Sequence, residues 1–278
     1  LGRVYHNQGN YDDAFCLYKR SLKALELWPT RDDPLTLANL FCLGQVQYVR
    51  GDHAESLKRY MTALSVARSA CGEDSLEVAA CLNCIGVLHY IMLTGNNETT
   101  LETLQTSLVL RRKLQGEDHI DVGTTWNNMG RIFFQQGRYE DAMDAYREAL
   151  RIRRLCQGES VDVAATLFNI GQVYHQQEER DKALRLYQEF LRLVKGHFGE
   201  HHRDICIVAI CIGQVLHEKK EFIKALKAYQ HALRVARVAL GVAHPEVAIA
   251  LNKIGNLYYE TGDLESALKA YLQGLDVE

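Results

Sequence analysis

The chain has 278 residues, 47% of them apolar and 3 of them proline, so it can bury a large core and form long helices almost throughout. Its 32 basic and 35 acidic residues give a formal charge of −3, which leaves no basic excess to draw nucleic acid or an anionic membrane surface. No apolar run reaches about 18 residues, so no membrane-spanning helix is expected.

The opening "LGRVYHNQGNYDDAF" has neither signal-peptide nor transit-peptide character and starts inside a helical pattern, so a segment of a longer protein is expected. The 8 cysteines, Cys16, Cys42, Cys71, Cys81, Cys84, Cys156, Cys206 and Cys211, do not form a small disulfide scaffold. Several recur at matching helical positions, as small buried residues do. Free thiols in a reducing, cytoplasmic compartment are expected.

A glycine preceded by Leu, Ile or Met organises the chain. It falls at Gly2, Gly44, Gly86, Gly130, Gly171, Gly213 and Gly255, at spacings of 42, 42, 44, 41, 42 and 42. Such a period signals stacked supersecondary units. Each unit reads as two helices. The inner one carries an apolar stripe around the glycine, as at Trp126, Met129 and Phe133. The outer one has a small residue twelve after the glycine (Ala14, Ser56, Ala142, Ala183, Ala225, Ala267) and a tyrosine sixteen after it (Tyr18, Tyr60, Tyr146, Tyr187, Tyr229, Tyr271).

In chain order, a partial unit spans 1–29. It runs into "LWPTRDDPLTL", where Pro29 and Pro34 predict a stiff, extended connector. Unit 34–71 follows, then 75–115, which is stretched by two residues at "LTGNNETT". There Thr100 and Leu104 replace the small residue and the tyrosine, so a protruding loop and looser packing are expected. Unit 119–157 turns at Gly137, whereas units 160–198 and 202–240 carry Glu178 and Lys220 at that place. A partial unit, 244–278, opens on Pro245, suited to a first helical turn. The Ser and His residues ahead of the inner helices supply N-caps.

This arrangement resembles the tetratricopeptide repeat, through Trp126, Gly130, Phe133, Gly137, Ala142, Tyr146 and Ala149 in the best-formed unit. That family's usual period is about 34 residues. The longer period here, with "GEDHIDVGTTWNNMG" and "GVAHPEVAIALNKIG" as linkers, is similar to the long-repeat subclass of kinesin light chains. The resemblance implies an all-α, right-handed superhelical solenoid, a single array over 1–278 whose inner helices line a concave surface. It also implies a protein- or peptide-binding adaptor or scaffold, with cargo adaptor as the specific form. The alternative is a regulatory or self-assembly module attached to an enzyme or nucleotide-binding switch elsewhere in the parent.

The groove-facing positions are expected three before, one after and four after each glycine. They place Asn83, Asn127 and Asn252 first; Gln45, Arg131, Gln172, Gln214 and Asn256 second; and His175 and His217 third, with Asn128, Gln135 and Asn169 beside them. Four after the glycine, rings run unbroken: His6, Tyr48, Tyr90, Phe134, His175, His217 and Tyr259. Amides can donate to or accept from a peptide backbone, and rings add flat apolar contact. Such rings also pack between neighbouring units. Arg131 facing that row suggests a ligand with an acidic residue beside an aromatic or leucine. Arg153, on the outer helix, is expected to be a neutral surface position.

No catalytic constellation, cofactor motif or metal set emerges, so no enzyme is expected. Cys81 and Cys84 form a CxxC on a helix interior, where core filling is the plainer reading. His202 and Cys206 lie one turn apart but read as linker and cap. The glycosylation triplet at Asn97 is silent in a cytoplasmic protein. Partial units at both ends leave packing faces open, which predicts fraying or end-to-end self-association.

Overall fold

The computed structural model describes residues 1–25, 34–92 and 97–277. The connector expected around Pro29 and the loop expected in the third unit lie outside them. Pro34 does not extend a connector; it is the first residue of a helix, where its missing N–H is no loss.

The described residues form α-helices and no strand. One compact unit, residues 1–137, holds α1 (Gly2–Asn7), α2 (Tyr11–Leu25), α3 (Pro34–Val49), α4 (His53–Cys71), α5 (Leu76–Met92), α6 (Asn97–Gln115) and α7 (Ile120–Gln135). The other, residues 138–278, holds α8 (Tyr139–Gln157), α9 (Val161–Gln176), α10 (Arg180–Phe198), α11 (Arg203–Glu218), α12 (Phe222–Ala239), α13 (Pro245–Glu260) and α14 (Leu264–Leu275). Within each unit consecutive helices pair, odd-numbered inner with even-numbered outer: α1 with α2, α3 with α4 and α5 with α6 in the first, α9 with α10, α11 with α12 and α13 with α14 in the second.

The repeated glycine is where a pair closes. In the first unit, a β-carbon on Gly44 would stand 2.9 Å from the Tyr60 ring, and one on Gly2 2.8 Å from Tyr18. In the second, the same construction at Gly171 and Gly255 gives 2.6 and 2.5 Å to Tyr187 and Tyr271. The glycine therefore lets a tyrosine lie flat on the inner helix. The small residue twelve after it sits in the same contact: Ser56 Oγ donates to the Gly44 carbonyl at 2.7 Å.

The looser packing expected of the third pair from its sequence is not found. Leu104 takes the tyrosine's place against Gly86, and Thr100, Leu104 and Leu108 are all buried. A branched aliphatic fills the seat of the ring.

Turns and caps follow the sequence closely. Glu178 and Lys220 adopt φ of 62° and 60°, the left-handed conformation that Gly137 takes at 72°. Ser75 and Ser160 cap inner helices with their hydroxyls. At α7, α11 and α13 a histidine does so. Nδ1 of His119, His202 and His244 accepts the backbone N–H of Asp121, Asp204 and Glu246 at 3.2, 3.4 and 3.2 Å.

Arg153 is not a neutral surface residue. It is 6% exposed and donates to the Asp162 carbonyl at 2.9 Å and to Thr166 Oγ1 at 2.7 Å, joining α8 to α9. In the first unit, Arg111 joins α6 to α7 alike, through the Asp121 carbonyl and Thr125 Oγ1, both at 2.8 Å. Burial pushes both guanidinium pKa values down, and Asp121 and Asp162 oppose the shift.

Candidate binding cavities on the inner helices

In the first unit, four inner helices contribute to one open cavity of about 370 Å³. Tyr60, Cys84, Val87 and Leu88 give it apolar surface. Polar groups come from His6 on α1, Gln45 on α3, Asn83 on α5, and Asn128 and Arg131 on α7. Asn128 Nδ2 donates to Asn83 Oδ1 at 3.1 Å, which fixes both amides. The Arg131 guanidinium lies 5.0 Å from the centroid of the Tyr90 ring, a cation–π arrangement. No carboxylate stands within ion-pair distance of Arg131 among the described residues.

In the second unit, a cavity of about 590 Å³ opens between α11, α12 and α13. Gln214, His217, Lys253 and Asn256 line it, with Tyr229 and Tyr259. Two histidine–carboxylate pairs link successive inner helices. His175 Nε2 lies 2.9 Å from Glu218 Oε1, and His217 Nε2 2.8 Å from Glu260 Oε2.

The comparisons with known proteins agree with this build. One tetratricopeptide repeat sequence model matches residues 89–155 and 204–277, half of the chain. A second, also described as tetratricopeptide repeat, matches 1–33 and 166–196. The chain belongs to the tetratricopeptide repeat family.

Among solved structures, BtubC (BKLC) from P. vanneervenii is similar in fold at 22% identity and a TM-score of 0.68, over 83% of this chain and 92% of that one. The Rap conjugation gene regulator of plasmid pLS20, solved with the Phr* peptide, has 16% identity and a TM-score of 0.70, over 99% and 71%. A P. anserina protein of nearly identical tetratricopeptide-like repeats, provisionally assigned to the kinesin light chains, has 11% identity and a TM-score of 0.62, over 73% and 96%. No curated protein matches the sequence.

Against this tetratricopeptide repeat framework, the residues singled out from sequence separate into groups. Gln45, Asn83, Asn128 and Arg131 meet in the first cavity, and Gln214, His217 and Asn256 in the second. Asn127 is buried, and Gln135 on the same helix is exposed. Asn169, Gln172 and His175 are half-buried on α9, while Asn252 on α13 is exposed. These six lie outside both cavities.

The ring row does packing work inside the repeats. His6, Tyr48 and His217 each rest on the ring that opens the next outer helix: Tyr11, His53 and Phe222, at centroid distances of 5.7, 5.6 and 5.7 Å. Four rings of the row nevertheless line the cavities: His6 and Tyr48 the first, His217 and Tyr259 the second.

Sequence reasoning missed the histidine–glutamate pairs. Their signal was present: a histidine four after one glycine, with a glutamate five after the next.

The two thiols of the CxxC are placed for packing, whereas Cys16, Cys71 and Cys156 are exposed. Burial pushes Cys81 up to about 12 and Cys84 to about 11, far from the thiolate that redox or zinc chemistry needs. His202 spends Nδ1 on its helix cap, and Cys206 is buried. Among the described residues, no three His, Cys, Asp or Glu side chains converge as a metal site, and no helix is long and apolar enough to cross a membrane.

Proposed function

We propose that this protein is a peptide-binding scaffold whose ligand lies along the inner helices. The observation that carries this reading is the first cavity, where apolar walls adjoin fixed amides and an arginine with no acidic partner among the described residues. Such a site takes an apolar side chain beside a carboxylate. The complex of the pLS20 regulator with the Phr* peptide supports a peptide as ligand, since that protein is similar in fold.

The finer reading is a cargo adaptor of the kinesin light chain kind. The 42-residue period and the likeness to the P. anserina repeat protein support it. A regulatory module appended to another domain is the second reading, supported by the likeness to the pLS20 regulator over 99% of this chain. Either form works by binding rather than catalysis, in the cytoplasm.

Peptides selected from a random display library on the intact chain test the proposal. A consensus pairing an acidic residue with an aromatic or leucine is expected. Arg131→Glu should weaken those peptides by about 1–3 kcal/mol, the scale of a charge-assisted hydrogen bond. Arg147→Glu, an exposed change on the outer helix α8, is the control. Peptides that ignore Arg131→Glu but respond to Arg147→Glu sink the assignment.

Self-association through the ends also belongs to this reading. On α14, Leu264, Leu268, Leu272 and Leu275 are 63, 59, 52 and 64% exposed. The residues equivalent to Leu268 and Leu275 in the preceding pair, Leu226 and Leu233, pack into a core. Sedimentation should show concentration-dependent assembly that Leu268→Glu abolishes; a monomer at all concentrations refutes it.

A further inference from the structure

We infer that the first unit reads a bipolar peptide, whose basic side chain seats in a further cavity between α3 and α5 while an acidic residue of the same peptide meets Arg131. The inference rests on the peptide-binding reading and adds the ligand's second charge and its spacing.

The further cavity, of about 740 Å³, opens beside the one that holds Arg131. His6 and Gln45 line both, so the two adjoin and one ligand can occupy them together. Leu37 and Phe41 of α3, with Leu76 and Ala80 of α5, give the further cavity apolar walls. Its own cation, Arg3, stands on α1. Its acceptors stand where α5 and α7 begin and α6 ends: Glu77, Asp121 and Gln115. Lys113, near the end of α6, reaches Asp74, just ahead of α5, at 2.6 Å, which draws those helix ends together.

These acceptors are open to a donor. Glu77 is exposed and has no ion pair or hydrogen bond among the described residues. Gln115 Nε2 donates to Asp121 Oδ2 at 3.0 Å, which settles which end of the amide is oxygen. That oxygen is buried without a partner. A buried acceptor left unpaired costs free energy that an incoming N–H recovers. A carboxylate and a carbonyl oxygen beside apolar walls match a head that only donates, carried on an aliphatic stem. A lysine or arginine side chain is that group. The adjoining cavity calls for the opposite charge, since Arg131 has no acidic partner among the described residues.

The helix sets the spacing. Asp121 and Arg131 are both on α7, ten residues apart, a rise of about 15 Å. An extended chain covers that in about four or five residues. The ligand's base and acid are separated accordingly, with apolar residues between them.

Fluorescence polarisation of end-blocked octapeptides on the 278-residue chain tests this. The parent probe carries a lysine and an aspartate with four leucine and alanine residues between. One relative replaces the lysine by norleucine, and another sets lysine and aspartate side by side. The parent should bind about tenfold more tightly than either. Glu77→Gln should bring the parent down to the norleucine probe and leave that probe unchanged. Glu77 also sits in the first turn of α5, where an acid steadies the helix. Charge reversal separates the two roles: Glu77→Lys should favour a probe with glutamate in place of the lysine. Bound parent should also slow alkylation of Cys71, an exposed thiol that lines the cavity, but not of exposed Cys16 and Cys156. A norleucine probe that matches the parent, or Glu77 variants that change nothing, overturns the inference and leaves the broader reading intact. Hexylamine that shields Cys71 as well as the parent does at equal concentration overturns the peptide as occupant of this cavity. If no probe binds, both readings fail.

Discussion

The Tyr229 ring leaves no room for a β-carbon on Gly213, since an alanine there would place that atom 2.5 Å from the ring. The seventeen-residue motif joining the two is thus a steric lock between inner and outer helix. Gly213→Ala should cost about 1–3 kcal/mol by overpacking. Gly196, inside α10 with nothing near its missing side chain, is the counter-example. There alanine should stabilise by up to about 1 kcal/mol from helix propensity alone. Chemical denaturation of both variants checks the pair, and losses of equal size would refute the lock.

The turns of the fifth and sixth pairs hold side chains where glycine is easiest. Glu178 and Lys220 sit at positive φ, which costs an L-residue about 1 kcal/mol or more. Glu178→Gly and Lys220→Gly should each raise stability, net of the larger backbone entropy of glycine in the unfolded chain. A drop in melting temperature for both would show that the side chains repay their strain.

The buried arginine joint should behave as a coupled pair. Thr166→Val removes an acceptor from a guanidinium that cannot reach water, and should cost about 1–3 kcal/mol. The double variant Arg153→Leu with Thr166→Val should recover much of that loss. Val194 and Val208 occupy the same two register positions one repeat later, and both are buried. Additive losses in the double-mutant cycle would deny the coupling.

Stability should fall on mild acidification, in part through His231 on α12. Burial is the main cause that lowers its pKa below 6.5, with Lys195 and Arg234 adding to the shift, His201 contributing in the same sense, and Glu200 opposing it. The folded chain therefore holds this imidazole neutral where the unfolded chain protonates it. Stability is full above the ordinary histidine value and declines as pH falls through it toward the folded value. His231→Gln should flatten the slope of melting temperature against pH in that range. An unchanged slope would mean that His231 titrates alike in both states.

The repeat, its helix pairs and its caps were legible because each depends on residues at fixed offsets within one unit. Gly213 and Tyr229, or Ser160 ahead of α9, declare themselves locally. The binding residues were legible only in part, since exposure depends on the neighbouring pair. Asn83 and Asn127 share an offset and are both buried, yet Asn83 lines the first cavity and Asn127 does not. Arg153 deceived for the same reason. Its helix face reads as surface until Thr166 of the next pair is seen to receive it.

The arginine joints also give the repeats an order. A pair ending in Arg111 or Arg153 needs a follower with threonine at the receiving position, whereas Val194 needs an apolar one. Deleting the fifth unit would seat the Arg153 guanidinium against Val208, at a cost of several kcal/mol for an unpaired buried charge. Units that share one signature are therefore addressed to particular neighbours. Lengthening such a chain by duplication is open only where donor and receiver positions already agree.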